Sequence, residues 1–379
     1  MFLVFFYFSQ IFYVQPQKIV SINYRNDHLN RSNFEIKFVQ ENKKLRTGFN
    51  TYVQYPLFKT SLKLESQIIE NKTLLLNNPY QCSLYNLDVE IQDTIIEKMN
   101  FYITEEVGNN RADMADNGIG LAYKFENESY SFIHKLYNNH LIEHLQFTFE
   151  YYDHLRNGTI HFGGIPNNKY KSLPYQGYAN IAKDSKSWKM KLTGVGFEGQ
   201  RYEFNKDAVI HNAFYDIFWS NELNNLMLKI FEKEIEEGFC INREYFEYSF
   251  VQCDNDTRPI FDKKIKFQFK ELTITLKIRD LFRISSGEWQ SIINANPYEL
   301  YDNSVIIGVR FLNLFNYSVF DYENQQVRFY SDKTIIEMDE FISMDYSTPV
   351  RCLCILIILM MIGNFIYLGY LVKRKQINE

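Results

Sequence analysis

The chain has 379 residues, of which 46% are hydrophobic and 17% aromatic, and it carries a formal net charge of −5. That length supplies material for two cores, and the Phe, Tyr and Ile content favours strands. The mildly acidic balance argues against a nucleic-acid partner. One close-set group of cations, Lys263, Lys264, Lys266 and Lys270, is interleaved with Ile265, Phe267 and Phe269, the pattern of the wet face of one strand.

Taken in chain order, residues 1–16 open with a run of Phe, Leu, Val and Tyr that reads as a signal peptide, cleaved near Gln15 to Gln17. Six N-x-S/T sequons, at Asn30, Asn71, Asn127, Asn157, Asn255 and Asn316, agree with a secretory, glycosylated chain. From Phe34 the order F-E-I-K-F-V alternates as a strand and turns at Asn42 to Leu45 into R-T-G-F-N-T-Y-V, residues 46–53. Val89 to Phe101 predicts a strand pair that leads to D-N-G-I-G-L-A-Y, residues 116–123. A helix is expected over Phe132 to Leu145, with Phe132, Ile133, Leu136 and Tyr137 on one face, followed by strands at 147–149 and 159–162 that end in Gly163 and Gly164.

The second half opens with S-W-K-M-K-L (187–192) and G-V-G-F (194–197). Near its end, Val305 to Ile307 stops at Gly308, and Tyr317 to Phe320 and Val327 to Tyr330 predict a hairpin around the turn residues 321–324. After a linker at 336–351, the stretch Cys352 to Val372 is apolar apart from Asn364 and long enough to cross a bilayer. Lys373, Arg374 and Lys375 follow it, which predicts a single-pass membrane protein with residues 373–379 in the cytoplasm and the bulk of the chain on the lumenal or extracellular side. Of the five cysteines, Cys352 and Cys354 lie at the membrane edge and Cys82 stands alone, as a buried small apolar residue. Cys240 and Cys253 are left to form a disulfide that closes a short loop in an oxidising compartment.

The order I-I-G-x-x-F-L-x-x-F-x-x-x-F-D-x-x-N-x-x-V-x-F from Ile306 to Phe329 resembles the closing segment of the pepsin-like aspartic peptidases. D-N-G-I-G-L-A-Y is similar to their D-G-I-x-G-L-A, N-G-T-I-H-F-G-G-I-P to their G-G-I-D hairpin, and the S-W-K-M-K-L strand to the one that opens their second lobe. The resemblance implies a mostly β, bilobal fold with a central cleft, an N-terminal lobe over 33–180 and a C-terminal lobe over 181–335. It also implies a second-lobe disulfide at Cys240 and Cys253, a peptide or protein partner in the cleft, and no cofactor. Family members hydrolyse peptides with two aspartates that share a proton across a water; the handling of such pairs by mutual repulsion is well understood.

The aspartate positions are where this chain departs from the family. In lobe one, R-T-G-F-N-T-Y-V is the best match to D-T-G-S-S-x-x-W-V, which puts Arg46 at the aspartate with Thr47 and Gly48 after it. In lobe two, A-V-I-H-N-A-F-Y (208–215) matches A-I-V-D-T-G-T-S, which puts His211 at the aspartate, followed by Asn212 and Ala213, with the Gly308 loop packed beneath. An arginine cannot act as a base, and a histidine beside it would have a lowered pKa. The expectation is a catalytically inactive peptide-binding module. The alternative is a working aspartic endopeptidase with its dyad elsewhere, for which Asp113, Asp116 and Asp216 are the candidate acids, although no D-[TS]-G triplet occurs in the chain. No glycine lies between Gly48 and Gly108, so the family's glycine-rich flap is not expected in its usual form over 63–87. His140, Glu143 and His144 fit H-x-x-E-H, but they fall on an expected surface helix with no obvious third ligand, so no metal site is assigned.

Overall fold

A computed structural model describes residues 18–338 apart from 27–31, 52–53, 55, 61, 76–78, 105–117, 126, 154–156, 167–174, 183, 213, 215, 220, 246–247, 286, 296–303 and 333–334. Alternating apolar residues build a sheet shared by the two halves of the chain. Its strands run in the order Tyr175–Asn180, Gln326–Tyr330, Tyr317–Asp321, Gln146–Asp153, Asn157–Phe162 and Val20–Asn26, and the sheet continues through Ser32–Phe38, Pro79–Ile91, Thr94–Thr104 and Leu57–Lys59. The expected hairpin near the C-terminus therefore does not stay within its own half. Phe320 pairs with Phe147 and Ser318 with Phe149, which closes the late strands onto the early ones.

The two faces of this sheet differ in chemistry. On one, Phe147 stacks on Phe320 at 4.6 Å between ring centroids, and the fully buried Trp188 meets them edge-on at 5.7 and 5.1 Å. The Trp188 Nε1–H donates to the Leu121 carbonyl at 2.7 Å, giving the buried indole the partner it needs. On the other face lies a polar cluster around Glu150. Its carboxylate accepts from Tyr152 and Tyr317 hydroxyls at 2.8 and 3.0 Å and meets His161 Nε2 at 2.7 Å, while His161 Nδ1 meets Ser21 Oγ at 2.7 Å. Such a cluster is stable only because each buried polar atom has a partner.

In the first half, Pro79–Ile91 and Thr94–Thr104 form the expected strand pair, longer than predicted and turned at Gln92 and Asp93 with φ of 44° and 67°. Glu70–Leu75 folds back on Pro79–Ile91 as a further hairpin, so this stretch makes a hairpin without the family's glycines. Cys82 is buried beside Leu57, Leu74, Leu84 and Tyr102, as a small apolar residue should be. The helix begins where expected, capped by Ser131, but ends at Asn138 rather than 145. His140 has φ of 56°, a left-handed conformation that a helix cannot continue through.

In the second half a sheet runs through Ile293–Ala295, Ile217–Trp219, Val305–Ile307, Gln200–Ile210, Lys189–Phe197, Lys264–Phe269 and Leu272–Lys277. Lys264 and Lys266 are exposed while Ile265, Phe267 and Phe269 are buried, which is the alternation the sequence predicts. Cys240 and Cys253 face each other across paired strands and form the expected disulfide. The apolar stretch 352–372 and the leader 1–16 lie outside the described residues, among which no helix is long and apolar enough to cross a membrane.

Candidate functional site

Each half contributes one loop built the same way. In the first, Phe49–Asn50 pairs in parallel with Ile119–Gly120, in the register Phe49 to Ile119 and Asn50 to Gly120, and Leu121 N–H donates to Asn50 O at 2.8 Å. In the second, Val209 and Ile210 pair in parallel with Ile306 and Ile307, and His211 N–H donates to Ile307 O at 3.0 Å, directly before Gly308. Superposing the two registers makes Phe49 equivalent to Ile210, Asn50 to His211, Thr51 to Asn212, and Gly120 to Gly308. Gly118 has φ of 130°, and a Cβ there would lie 2.6 Å from Gly48 O, so the glycine in D-N-G-I-G is required both by conformation and by space.

The two loops grip each other through the residues that follow Asn50 and His211. Thr51 N–H donates to Asn212 Oδ1 at 2.8 Å, and Asn212 N–H donates back to Thr51 Oγ1 at 3.1 Å. The Thr51 hydroxyl donates to Ile210 O at 3.1 Å, and Asn212 Nδ2–H to Phe49 O at 2.9 Å. Thr51 is fully buried and Asn212 nearly so, so these bonds exclude water and hold the loops in one register.

This grip relocates the lobe-one position. Arg46 does not lie at the junction: it sits in Lys43–Thr47, on the exposed face of that strand, opposite Glu35. The residue that matches His211 is Asn50, four positions downstream. The match to R-T-G was carried by the threonine, the glycine and the pair Tyr52–Val53, whereas the structural equivalence depends on one apolar residue immediately before each position, Phe49 and Ile210. That repeated apolar residue was the signal a sequence reading could have used. Thr47 is buried in the strand and Gly48 O accepts from Ile119 N–H, so these two support the loop from behind. Ala213 lies outside the described residues.

His211 and Asn50 are both fully buried. Burial pushes the imidazole down to about 3, through the cost of charging it away from water. The expected arginine beside it is not the cause. At any pH above that value the junction carries a carboxamide and a neutral imidazole, groups that make hydrogen bonds and bear no charge. Phe214 packs edge-on to the imidazole at 4.7 Å, and its N–H donates to His211 O at 3.1 Å.

A family model described as eukaryotic aspartyl protease matches residues 78–331. The chain belongs to the eukaryotic aspartyl protease family. Among solved structures, this family member is similar to the aspartic proteinase from Irpex lacteus, with a TM-score of 0.62 and 12% sequence identity over 83% of this chain and 97% of that one. At that identity the likeness is one of fold, and it supports the bilobal, mostly β architecture. A search of curated proteins gives no match. The segment matched by the aspartyl protease model contains His211 and begins after Asn50.

Of the other candidate acids, Asp216 is buried in an ion cluster, 3.5 Å from Arg283 and 3.8 Å from Arg310, with Asn294 donating to it at 3.2 Å. It is committed to holding lobe-two strands. Asp113 and Asp116 lie outside the described residues. His140, Glu143 and His144 follow the end of the helix rather than riding on it, and His144 approaches Glu323 at 3.7 Å. Among the described residues no group of His, Cys, Asp and Glu is arranged to hold a metal. Asn71, Asn127 and Asn157 are exposed, Asn255 and Asn316 are half-buried, and Asn30 is outside the described residues.

Proposed function

We propose that this member of the aspartyl protease family is a membrane-anchored protein of the secretory pathway that binds peptide or protein in its cleft and does not cleave it by a pair of aspartates. The observation that carries this reading is the equivalence of Asn50 and His211 in two loops locked by Thr51 and Asn212. A shared-proton mechanism needs one carboxylate to take a proton from water while a second donates one. A carboxamide does neither at ordinary pH, and an imidazole titrating near 3 is a poor base. The bilobal fold, similar to that of a solved aspartic proteinase, supports an extended peptide as the ligand, bound in the cleft by strand-like pairing.

The supporting evidence for anchoring is the apolar stretch 352–372 with its basic flank, and for the secretory route the apolar leader, the disulfide and the sequons. The test is to incubate the purified protein with an unfolded protein substrate from pH 3 to pH 7. The expected result is no cleavage, together with saturable binding of extended peptides. Robust cleavage blocked by a statine-type inhibitor would overturn the reading and favour an endopeptidase with a non-standard dyad.

A further inference from the structure

Asn316, one of the six sequon asparagines, immediately precedes Tyr317–Asp321. That strand pairs with Gln146–Asp153 on one side and with Gln326–Tyr330 on the other. The pairings close off the other two members of the sequon. Ser318 is fully buried, and Tyr317 is buried with its hydroxyl donating to the Glu150 carboxylate at 3.0 Å. Asn316 itself is half-buried, and its Oδ1 accepts from Asp332 N–H at 3.0 Å. That bond engages the oxygen end of the carboxamide and leaves Nδ2, the atom that carries an N-linked sugar, at the other end.

Asn316 also lines a cavity of about 690 Å³. Tyr152 stands on one side of it, at the end of Gln146–Asp153, and Phe282, Ile284 and Trp289 come from the second half of the chain. Apolar surface is left open there, with Ile284 66% and Tyr152 52% exposed. Asp280, exposed at the same cavity, is an acceptor for a hydroxyl. The arginines around it are committed to acids, Arg279 to Asp256 and Asp262, and Arg283 and Arg310 to Asp216. The cavity is therefore not built for an anion. Aromatic and aliphatic walls with a few polar groups suit a sugar ring, whose C–H faces are apolar and whose edge is hydroxylated.

A transferase can reach this sequon only before the sheet closes, because Ser318 lies in the middle strand of three. In that step Nδ2 loses a proton and bonds to the anomeric carbon of an oligosaccharide, whose bond to a lipid pyrophosphate breaks. Folding must then house the first sugar beside a half-buried asparagine, and the cavity is space that Asn316 itself borders. We propose that Asn316 carries an N-linked glycan whose first N-acetylglucosamine is seated in this cavity, against Tyr152, Ile284 and Trp289. The sugar covers apolar surface and ties the shared sheet to the strands Phe282–Ser285 and Glu288–Ser291. The inference rests on the secretory route proposed above and is independent of whether the loop junction binds or cleaves peptide.

The experiment uses the full-length protein, made in a eukaryotic secretory host and purified in detergent. Peptide mass spectrometry after enzymatic deglycosylation in heavy-oxygen water reads the occupancy of each sequon. Asn316 should be occupied together with the exposed Asn71 and Asn157. When the native protein is treated with peptide N-glycosidase, release at Asn316 should be at least tenfold slower than at those two, and the difference should vanish after denaturation. Ile284→Ser, at an exposed side chain, should speed native release at Asn316 at least threefold with an unchanged unfolding midpoint. Asn316→Gln should at least double the fluorescence of a hydrophobic dye added to the native protein, and Asn71→Gln should leave it unchanged. Ser318→Ala, which abolishes the sequon and keeps the asparagine, should match Asn316→Gln. Occupancy at Asn71 and Asn157 with none at Asn316 overturns the inference and leaves the secretory reading standing, whereas no occupancy at any of the six overturns both. Release at Asn316 as fast as at Asn71, an unchanged rate in Ile284→Ser, or unchanged dye binding without the glycan would place the sugar outside the cavity and sink the proposal.

Discussion

His161 in the shared sheet and His211 at the loop junction are both buried, yet their surroundings are opposite. His161 has a partner at each ring nitrogen, Ser21 on one side and the Glu150 carboxylate on the other, and two tyrosine hydroxyls complete that carboxylate's shell. His211 has burial as the cause of its lowered pKa and sits against the edge of Phe214. A buried histidine beside a carboxylate is held in place by charge-assisted bonds, whereas burial alone favours the neutral imidazole.

The largest expected consequence is in the pH dependence of stability. His211 titrates near 3 when folded and near its ordinary value when unfolded, so the unfolded chain takes up a proton that the folded chain refuses. The contribution is fully present above the unfolded pKa of about 6.5 and is lost as pH falls toward 3, in total about 5 kcal/mol. Urea unfolding at pH 6.5, 5 and 4 should show a decline that His211→Gln flattens by about 3 kcal/mol at pH 4. An identical slope in the variant would mean that the junction does not shield the imidazole.

Next in size is the grip itself. Thr51→Val removes the hydroxyl that bonds Ile210 O and Asn212 N–H and leaves both buried groups unpaired, a cost of about 3 kcal/mol read from the denaturant midpoint. In the sheet cluster, Glu150→Gln removes the charge that organises His161, Tyr152 and Tyr317, and about 2 kcal/mol is expected to go with it. Smallest is Arg46→Ala. On an exposed strand face it should change stability by less than about 0.5 kcal/mol and leave the imidazole titration of His211 where it was, as followed by NMR. A shift in that titration would restore Arg46 to the junction.

Much of the architecture was legible in the order of residues. Alternation predicted the strands at 34–39, 147–149 and 264–269, and the glycine-bearing motifs predicted the paired halves, because a strand with one wet face must alternate and a backbone crossing must have glycine. The helix was placed correctly at its start, where Ser131 caps it, and overrun at its end, because the left-handed turn at His140 has no strong local signature. His211 was placed correctly in lobe two, where the apolar strand before it is intact and lies inside the segment that matches the family. Arg46 was not, since three familiar residues nearby outweighed the single apolar residue that defines the position.

By itself, the chain's order of motifs settles that this is an aspartyl protease fold, with the lysines of 264–269 pointing outward and Cys82 pointing in. Which residue of lobe one is equivalent to His211 was decided only in three dimensions, by strand register and by hydrogen bonds between Thr51 and Asn212 across 161 positions. Local patterns report what a residue's own backbone requires. They carry no record of which distant side chain will share its hydrogen bonds, and it is that sharing that defines a site.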